Sequence, residues 1–365
     1  MPAFKISNAQ IYILQNNSLN WFNKNKRSLP FRQTKDPYQI WISEIMAQQT
    51  QIDTLIPYYK RFIEKFPDLK TLAAAEESAV LKAWEGLGYY SRARNLHKTA
   101  RLIESDYDGC FPSDYQTLIK LPGIGPYTGG AIASIAFNEA VTAVDGNVLR
   151  VISRFLNSHL DIGENKTKKV ITQWLETILP ANSGDFNESL MELGALICSP
   201  TNPQCPDCPL RDGCQAYAQG NQEKLPIKKK KIRPKTMQME VGILIRDKHL
   251  FFVRRDQRGL LAGMWSFPIV TQTDEPGQAI SDLLNQYTQH LPQAQYLGHS
   301  RHVFTHIIWE IEVYSFYLPA YLKEETATYS IKADDQTCFI PIDETDRLTL
   351  PVAFKKLLPL LEPHL

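Results

Sequence analysis

Two hydrophobic periodicities divide this chain of 365 residues. Up to about residue 222, apolar residues recur at spacings of three and four, as in DPYQIWISEIMAQQTQIDTLIPYYKRFIEKF, which predicts amphipathic helices. From about residue 237 the period becomes two, and MEVGILIRDKHLFFVRRD predicts two strands joined by a turn. HIIWEIEVYSFYL predicts another strand, whereas SDLLNQYTQHL and FKKLLPLLEPHL predict helices. We therefore expect an all-α domain over 1–222 and an α+β domain over 237–365.

Local signals refine the helical part. Asp36-Pro37 predicts a helix start, because Asp caps a helix and Pro suits its first turn. TLAAAEESAVLKAWEGLG predicts a helix that stops at glycine, and TGGAIASIAFN predicts a short helix whose small residues allow close packing.

Residues 223–236 are expected to link the two domains. Within them KLPIKKKKIRPK carries seven basic residues, two prolines and no acid, which disfavours a helix or a central strand. These charges could contact DNA phosphates, or they could belong to a solvated tether.

Composition narrows the class of protein. The hydrophobic fraction of 43% is enough for real cores, and the net charge of +1 with a pI near 7.6 lacks the basic excess of many nucleic-acid binders. The N-terminal sequence has no signal-peptide pattern, and no apolar run approaches eighteen residues. These features fit a soluble protein of a reducing cytoplasm, and any DNA affinity must come from local patches and backbone donors.

Four cysteines in CSPTNPQCPDCPLRDGC form the spacing C-x6-C-x2-C-x5-C, at Cys198, Cys205, Cys208 and Cys214. Four thiolates in so short a loop indicate a metal site. Four cysteines that follow one another at unequal spacings in one loop favour a cubane iron–sulfur cluster. A zinc site with four thiolate ligands is the alternative. Disulfides are disfavoured because nothing marks the chain as secreted. Cys110 and Cys338 are isolated and are interpreted as ordinary buried thiols.

This spacing resembles the [4Fe-4S] signature of the helix-hairpin-helix DNA glycosylases similar to endonuclease III and to adenine DNA glycosylases of the MutY family. The resemblance implies a [4Fe-4S] cluster with a structural role. It also implies that the first domain is a glycosylase domain with an iron–sulfur loop over 198–214.

A Gly-x-Gly turn in LPGIGPYTGGAI is expected to bind a DNA phosphate through backbone N–H groups at a helix start. Gly123 and Gly125 would let the backbone approach the phosphate closely. The segment resembles the superfamily's helix-hairpin-helix motif, here placed at 118–133. Bifunctional members carry a lysine where this chain has Tyr127, so the resemblance implies a monofunctional glycosylase of the MutY kind.

Two carboxylates are candidates for catalysis. Glu44 lies in the apolar helical stretch ISEIMAQQTQ, where burial would raise its pKa toward neutrality, although a surface position is equally compatible with the pattern. Asp145 in AVDGNVLRV could simply cap a helix. By resemblance Glu44 is the general acid, Asp145 stabilises positive charge at C1′, Asn147 orients Asp145 or contacts substrate, and Tyr127 faces the sugar.

Base flipping needs side chains that enter the DNA stack. By resemblance Gln49 and Tyr89 wedge opposite the flipped base, with help from Leu87, although Tyr89 and Leu87 could equally be core residues. Arg92 and Arg94 are expected to contact phosphates.

The C-terminal domain resembles a Nudix-like (MutT-like) domain at RGLLAGMWSFPIV. The following stretch lacks the carboxylate cluster that a Nudix hydrolase uses to hold magnesium, so a binding domain is expected. In MutY proteins a Phe-Ser-His loop recognises 8-oxoguanine; here Phe304, Thr305 and His306 occupy it, unless they merely enter a strand.

The resemblance thus implies a monomeric adenine DNA glycosylase of base excision repair in the bacterial cytoplasm, associated with the nucleoid. Its expected partner is double-stranded DNA with adenine opposite 8-oxoguanine or guanine. The alternatives are an endonuclease III-like glycosylase acting on oxidised pyrimidines and a non-catalytic iron–sulfur DNA binder.

Overall fold

The computed structural model describes residues 4–229, 234–288, 291–319 and 336–364. It divides into two compact units, the first formed by 1–83 with 91–230 and the second by 84–90 with 231–365. Positions 230–233 of the predicted linker lie outside the described residues. Within the described ranges, no helix is long and apolar enough to cross a membrane.

The first unit is helical, as the periodicity predicts. It begins with a helix that runs as α1, a π-helical turn at Ile13–Asn17, and α2, and short 3₁₀ turns lie at Pro30–Arg32, Cys205–Asp207 and Arg211–Gly213. The α-helices are α1 Asn8–Tyr12, α2 Ser18–Asn25, α3 Pro37–Ala47, α4 Ile52–Lys65, α5 Leu69–Ala74, α6 Glu77–Ala83, α7 Ser91–Asp106, α8 Tyr115–Leu118, α9 Pro126–Phe137, α10 Gly146–Phe155, α11 Asn165–Glu176, α12 Ser183–Leu196 and α13 Gln215–Ala218.

Helix starts and ends follow local chemistry. Asp36 caps α3 by accepting from the Tyr38 N–H at 3.0 Å, with Pro37 in the first turn, which confirms the predicted start. Helix α3 ends at Ala47 and α4 begins at Ile52, so residues 48–51 interrupt the helix. Helix α9 ends at Asn138, whose left-handed φ of 55° closes the last turn.

Helix α12 occupies the centre of this unit and packs against α2, α9 and α10. One core cluster joins α10, α11 and α12 through fully buried apolar side chains that include Ile152, Phe155, Ile171, Phe186 and Leu190. Burial of such side chains stabilises by about 1.5–3 kcal/mol each. The polar faces of α10 and α12 are thereby fixed in relation to each other.

The second unit contains a mixed sheet of seven strands among the described residues. The strands are β1 Lys235–Arg246, β2 His249–Arg254, β3 Trp265–Ser266, β4 Ile269–Thr271, β5 Gln295–Val303, β6 Ile307–Tyr317 and β7 Thr337–Pro341, and the α-helices are α14 Gln278–Leu284 and α15 Val352–Lys355. The main order is β3-β2-β1-β6-β5, with β4 pairing with β1 and β7 with β2. The central pair, β1 and β6, is parallel, and β5–β6 is an antiparallel hairpin.

Helix α14 is tied to the sheet by a buried carboxylate. Glu240 on β1 is fully buried and accepts from the N–H groups of Gly277 at 2.8 Å and Ile280 at 3.0 Å. A helix N-terminus carries unpaired N–H groups and a partial positive charge, so a carboxylate is a suitable buried partner.

Three expected boundaries differ. The helix predicted over SDLLNQYTQHL is α14, which starts earlier and ends at Leu284, and positions 289–290 lie outside the described residues. The predicted terminal helix is one turn, α15, followed by a 3₁₀ stretch at Leu358–His364. Part of the predicted linker belongs to the first unit's core, since Leu225 is buried and its carbonyl accepts from Arg154 Nε at 2.9 Å.

Candidate active site

Glu44 and Tyr127 meet although 83 residues separate them. Glu44 lies on α3 and Tyr127 on the first turn of α9, and the Tyr127 hydroxyl donates to Glu44 Oε2. The neighbours of Glu44 on α3 (Ser43, Ile45 and Met46) are buried, while Glu44 itself keeps partial access to solvent. Glu44 and Tyr127 therefore form a contacting polar pair in a largely buried part of this unit.

Asp145 caps α10, as the local pattern allows. Its Oδ1 accepts from the Val148 N–H at 2.7 Å and its Oδ2 accepts from Asn147 Nδ2 at 2.7 Å. Both oxygens are thus oriented by donors of the chain itself, one from the backbone and one from a side chain. Capping and a functional role are compatible, because the cap fixes the direction in which the carboxylate points.

Arg150 fixes Asn147 in turn. Its Nη2 donates to Asn147 Oδ1 at 2.8 Å and to the Gly194 carbonyl at 2.7 Å, and its Nε donates to the Cys198 carbonyl at 2.7 Å. A Cβ on Gly194 would lie 2.5 Å from the Cβ of Asn147. Glycine is therefore required for α10 and α12 to approach this closely, and the sequence analysis missed both Gly194 and Arg150.

Four further charged residues, two of which (Glu188 and Arg32) act electrostatically on Glu44, do not stand out in the sequence. Arg27 and Arg32 come from the segment between α2 and α3, and Glu188 and Glu192 lie one turn apart on α12. Arg32 Nε lies 3.2 Å from Glu188 Oε1, and Arg27 Nη2 lies 2.6 Å from Glu192 Oε2. Two glutamates one helical turn apart on the same face were the available signal.

The carboxyl groups of the site have different proton affinities. Burial raises the pKa of Glu44 to about 7, helped by the negative charges of Glu188 and Asp145 and opposed by the Tyr127 hydrogen bond and Arg32. Burial also raises the pKa of Asp145, against the donors from Val148 and Asn147. The pKa of Tyr127 lies well above its usual value for the same reason, burial first and Glu44 next. Tyr127 therefore stays a hydrogen-bond donor, and Glu44 holds its proton near neutral pH.

The glycine turn predicted at 118–133 connects α8 to α9. Gly123 has a φ of 77°, and a Cβ there would lie 2.7 Å from Asn95 Cβ, so glycine is needed on both counts. Gly125 is the N-cap residue of α9 and provides no side chain to cap the helix. Both glycines are exposed, and the start of α9 has the open N–H groups expected of an anion site.

The two predicted wedge residues share an unusual backbone. Gln49 has a φ of 60° and Tyr89 a φ of 47°, and both side chains are exposed. Left-handed backbone is uncommon for residues other than glycine and is often found at functional positions. Leu87 differs, because it is only 8% exposed, as expected of a packed residue; its contact with DNA stays a prediction.

The two arginines expected at phosphates have partners inside the protein. Arg92 Nη1 donates to the carbonyls of Ile45 and Gln48 at 2.8 and 2.6 Å and so closes the end of α3. Arg94 Nε lies 3.2 Å from Glu77 Oε1. Arg92 therefore supports the helix that carries Glu44, a role that its sequence context did not reveal.

The four loop cysteines line one pocket. Cys198, Cys205, Cys208 and Cys214 all border it together with Arg154, whose Nη1 lies 3.3 Å from Cys198 Sγ. A guanidinium at this distance suits a thiolate, and four thiolates around one space are the donor set of a [4Fe-4S] cluster. Over the described ranges, no group of three or more His, Cys, Asp or Glu side chains, these cysteines included, has an arrangement that could hold a metal ion.

Phe304, Thr305 and His306 form the turn of the β5–β6 hairpin instead of a strand entry. The Phe304 N–H donates to the Ile307 carbonyl at 2.8 Å, and its ring packs edge-on against Trp309 at 4.9 Å between centroids. Thr305 and His306 are exposed. Within the same unit, the Thr305 hydroxyl is hydrogen-bonded to that of Tyr89.

Comparison with known proteins agrees with this architecture. Residues 42–177 match the HhH-GPD superfamily of base excision DNA repair proteins, and residues 240–360 match a NUDIX domain. A thermostable thymine-DNA glycosylase superposes with a TM-score of 0.54 at 30% identity, over 58% of this chain and 98% of that chain. An endonuclease III–DNA complex has a TM-score of 0.51 at 24% identity, over 59% of this chain and 99% of that chain, and shows the fold alone. Fold and site define a helix-hairpin-helix base excision repair protein with a Nudix-like domain.

The relatives identify the family within that class. The adenine DNA glycosylase of Rattus norvegicus is 33% identical over 98% of this chain and 79% of its own length. That of Buchnera aphidicola subsp. Baizongia pistaciae is 40% identical over 70% of this chain and 74% of its own length. The chain belongs to the adenine DNA glycosylase family, whose members are hydrolases of N-glycosyl bonds.

The raised pKa of Glu44 predicts a pH-dependent stability difference. The folded state holds this proton more tightly than the unfolded state, so ionisation of Glu44 costs stability as pH rises from 4.5 to about 7. Glu44→Gln, which cannot ionise, should raise the free energy of unfolding relative to wild type by on the order of 2 kcal/mol more at pH 8 than at pH 4.5. Urea unfolding at both pH values measures the difference.

Glu76→Gln is the matched control for this measurement, because Glu76 is exposed. It should change stability by less than about 0.5 kcal/mol at either pH. An equal effect of Glu44→Gln at pH 4.5 and pH 8 would contradict the assignment of a raised pKa to Glu44.

Proposed function

We propose that this protein removes adenine mispaired with 8-oxoguanine or guanine from duplex DNA, as a monofunctional glycosylase. The observation that carries the proposal is the contact of Tyr127 with Glu44, a carboxyl group that keeps its proton near neutral pH and has partial access to solvent. A general acid works best when its pKa lies near the working pH.

Glu44 is the proton donor in this scheme. Adenine leaves poorly as an anion, so Glu44 transfers its proton to N7 while the bond between C1′ and N9 breaks. The bonding electrons stay with the base, which departs as neutral adenine. Tyr127 donates a hydrogen bond that stabilises the Glu44 carboxylate once its proton is gone.

Asp145 acts on the sugar. Loss of the base leaves positive charge at C1′, and a carboxylate held by Val148 and Asn147 stabilises that charge electrostatically. Water then forms the new C1′–O bond, directly or after a transient adduct with Asp145, and its released proton returns to a carboxylate. The product is an abasic site, and no lysine at position 127 is available for strand cleavage.

Four further residues are assigned to contacts with DNA. Base removal requires the adenine nucleotide to leave the stack, and we assign Gln49 and Tyr89, both exposed with left-handed backbone, to the space that it vacates. Gly123 and Gly125 would hold a phosphate through the open N–H groups at the start of α9.

The second unit supplies recognition of the opposite base. Thr305 and His306 are exposed on the β5–β6 turn, which Phe304 anchors to Trp309. A hydroxyl on a rigid turn can hydrogen-bond a purine edge that distinguishes 8-oxoguanine from guanine, and the extra methyl of Thr305 restricts the rotation of that hydroxyl.

A [4Fe-4S] cluster held by Cys198, Cys205, Cys208 and Cys214 would stabilise the loop that follows α12. The pocket shared by the four cysteines and the Arg154 guanidinium beside Cys198 support this assignment. The cluster would have a structural role, because the four cysteine thiolates would occupy its ligand positions.

Single-turnover excision on a labelled duplex with adenine opposite 8-oxoguanine tests the proposed activity. Wild-type protein should give strand breaks only after alkali, because base release leaves an abasic site and no lyase lysine is present. Glu44→Gln should lower the excision rate by at least about 10²-fold, the usual loss on removing a general acid, while duplex binding persists.

Glu76→Gln should excise at the wild-type rate. Strand breaks without alkali would contradict the monofunctional assignment, and cleavage only at an oxidised pyrimidine would favour an endonuclease III-like activity. Binding without excision of either substrate would support the non-catalytic alternative.

Thr305→Ala tests the recognition turn. Loss of the hydroxyl should lower the preference for 8-oxoguanine over guanine opposite adenine by about fivefold, the usual contribution of one hydrogen bond. Thr305→Ser keeps the hydroxyl and should keep most of the preference. The preference is measured as the ratio of the single-turnover rate opposite 8-oxoguanine to the rate opposite guanine. An unchanged ratio in Thr305→Ala would contradict a role of this turn in recognition.

Cys205→Ser tests the cluster. The variant should lose most of the iron and the broad visible absorbance of the purified protein, because one of four thiolate ligands is gone. Cys110→Ser is the matched control, since Cys110 is exposed and lies far from the loop in sequence, and it should retain both. Iron analysis that gives no iron in wild type, or full iron in Cys205→Ser, would contradict the assignment.

A further inference from the structure

The segment Trp84–Tyr90 belongs to the second unit, although in the sequence it lies between helices α6 and α7 of the first. Within the second unit, Glu85 contacts Leu350 and Lys355. Its Oε1 accepts from the Leu350 N–H at 2.9 Å and lies 3.2 Å from Lys355 Nζ. The Glu85 side chain is only 13% exposed, and Leu350 is part of the core cluster of this unit. Glu85 therefore fastens one end of the segment to that core.

Tyr89, at the other end of the segment, contacts the recognition turn. Its hydroxyl is hydrogen-bonded to the hydroxyl of Thr305. Inside the segment, the fully buried Trp84 donates from Nε1 to the Gly88 carbonyl at 3.1 Å. This bond connects the residue next to Glu85 with the residue next to Tyr89, so the two ends of the segment are fixed in relation to each other.

The backbone of the segment depends on contacts of this kind. Gly86 has a φ of 99°, Gly88 a φ of 68° and Tyr89 a φ of 47°. A left-handed backbone is unfavourable for tyrosine and persists only where the surrounding structure holds it in place. The contacts of Glu85 and Trp84 hold the chain on the N-terminal side of Tyr89, and Thr305 holds its side chain.

The two attachment points of the segment are themselves joined by aromatic packing. The Phe304 ring, next to Thr305, lies 4.9 Å from the Trp309 ring between centroids, and Trp309 lies 6.3 Å from Phe354, next to Lys355. Trp309 and Phe354 are both buried. The recognition turn and α15 are thus parts of one packed body, and the segment is attached to that body at both ends.

We propose that Glu85 is a positioning residue for recognition of the base opposite adenine. It holds the segment on Leu350 and Lys355, so that the Tyr89 hydroxyl keeps the Thr305 hydroxyl in one orientation. A free hydroxyl rotates and can donate in any direction, whereas one paired with Tyr89 presents a defined group to a purine edge. The inference rests on the proposed function of Thr305, and Glu85 acts through Tyr89 and Thr305 without contact with DNA.

Glu85→Ala tests the proposal through the ratio of the single-turnover rate opposite 8-oxoguanine to the rate opposite guanine. The ratio should fall by about threefold, less than in Thr305→Ala, because the hydroxyl remains but is poorly oriented. In a protein that already carries Thr305→Ala, Glu85→Ala should lower the ratio no further. A purely structural role would slow both substrates equally. An unchanged ratio, or an equal fall with and without Thr305, would overturn the proposal.

A conservative variant and a matched control accompany this test. Glu85→Gln keeps the oxygen that accepts from the Leu350 N–H and should keep most of the preference. Asp346→Asn is the control, because Asp346 lies 3.3 Å from the same Lys355 ammonium but is 91% exposed, and its ratio should equal that of wild type. A fall in Asp346→Asn as large as in Glu85→Ala would trace the effect to Lys355 and overturn the role of Glu85.

Tyr89→Phe keeps the proposal testable if Glu85→Ala fails to fold. The variant retains the exposed ring and removes only the hydroxyl that meets Thr305. It should lower the same ratio by about threefold, and it should have no further effect once Thr305 is alanine. A wild-type ratio in Tyr89→Phe would show that the paired hydroxyls do not set the preference, and the proposal would be wrong.

Hydrogen exchange separates failure of the proposed function from failure of this inference, because it requires no activity. In Glu85→Ala, the amides of residues 85–89 and of Leu350 should exchange about tenfold faster than in wild type. Asp346→Asn should leave them at the wild-type rate. If exchange rises but wild type shows no preference for 8-oxoguanine, Glu85 holds the segment and the proposed function fails. If exchange does not rise, Glu85 does not hold the segment and the inference is wrong.

Discussion

The close approach of α10 and α12 at Gly194 is the constraint on which the helical unit depends. A Cβ at Gly194 would lie 2.5 Å from Asn147, so only glycine allows this spacing. The same approach lets Arg150 reach the Gly194 carbonyl while it holds Asn147, which holds Asp145. One missing side chain thus determines where a catalytic candidate points, because the polar chain is too short to span a wider gap.

Two carboxyl groups of this unit have different charges, although burial raises the pKa of both. Glu44 has few donors and a pKa near 7, whereas Glu192, whose side chain is fully buried, accepts from both Arg27 and Arg32 and has a pKa near 2. Desolvation acts on both groups, so the difference comes from hydrogen bonds and charge. The helical unit therefore contains one carboxyl group that holds its proton near neutral pH and one that stays negative.

The sequence predicted much of the architecture and part of the site. Helical periodicity, the Asp36 cap and the two domain classes follow from local patterns, and these reflect short-range physics. Glu44 and Asp145 could be named from their motifs, and the comparisons confirm the family. Arg27 and Glu192 could not be named, because 165 residues separate them and neither lies in a recognisable motif. The contacts of Arg92 with the end of α3 could not be named either, because exposed arginine and helix-closing arginine look alike in sequence.

Helix α12 carries charged side chains of the helical unit and ends just before the cysteine loop. Its middle carries Glu188 and Glu192, its last turns carry Gly194, and Cys198 follows shortly after its end. The carbonyl of Cys198 accepts from Arg150, and Glu188 on α12 pairs with Arg32. One continuous helix therefore connects the loop that begins at Cys198 with charged side chains of the helical unit, although the two sets of residues belong to separate motifs in the sequence.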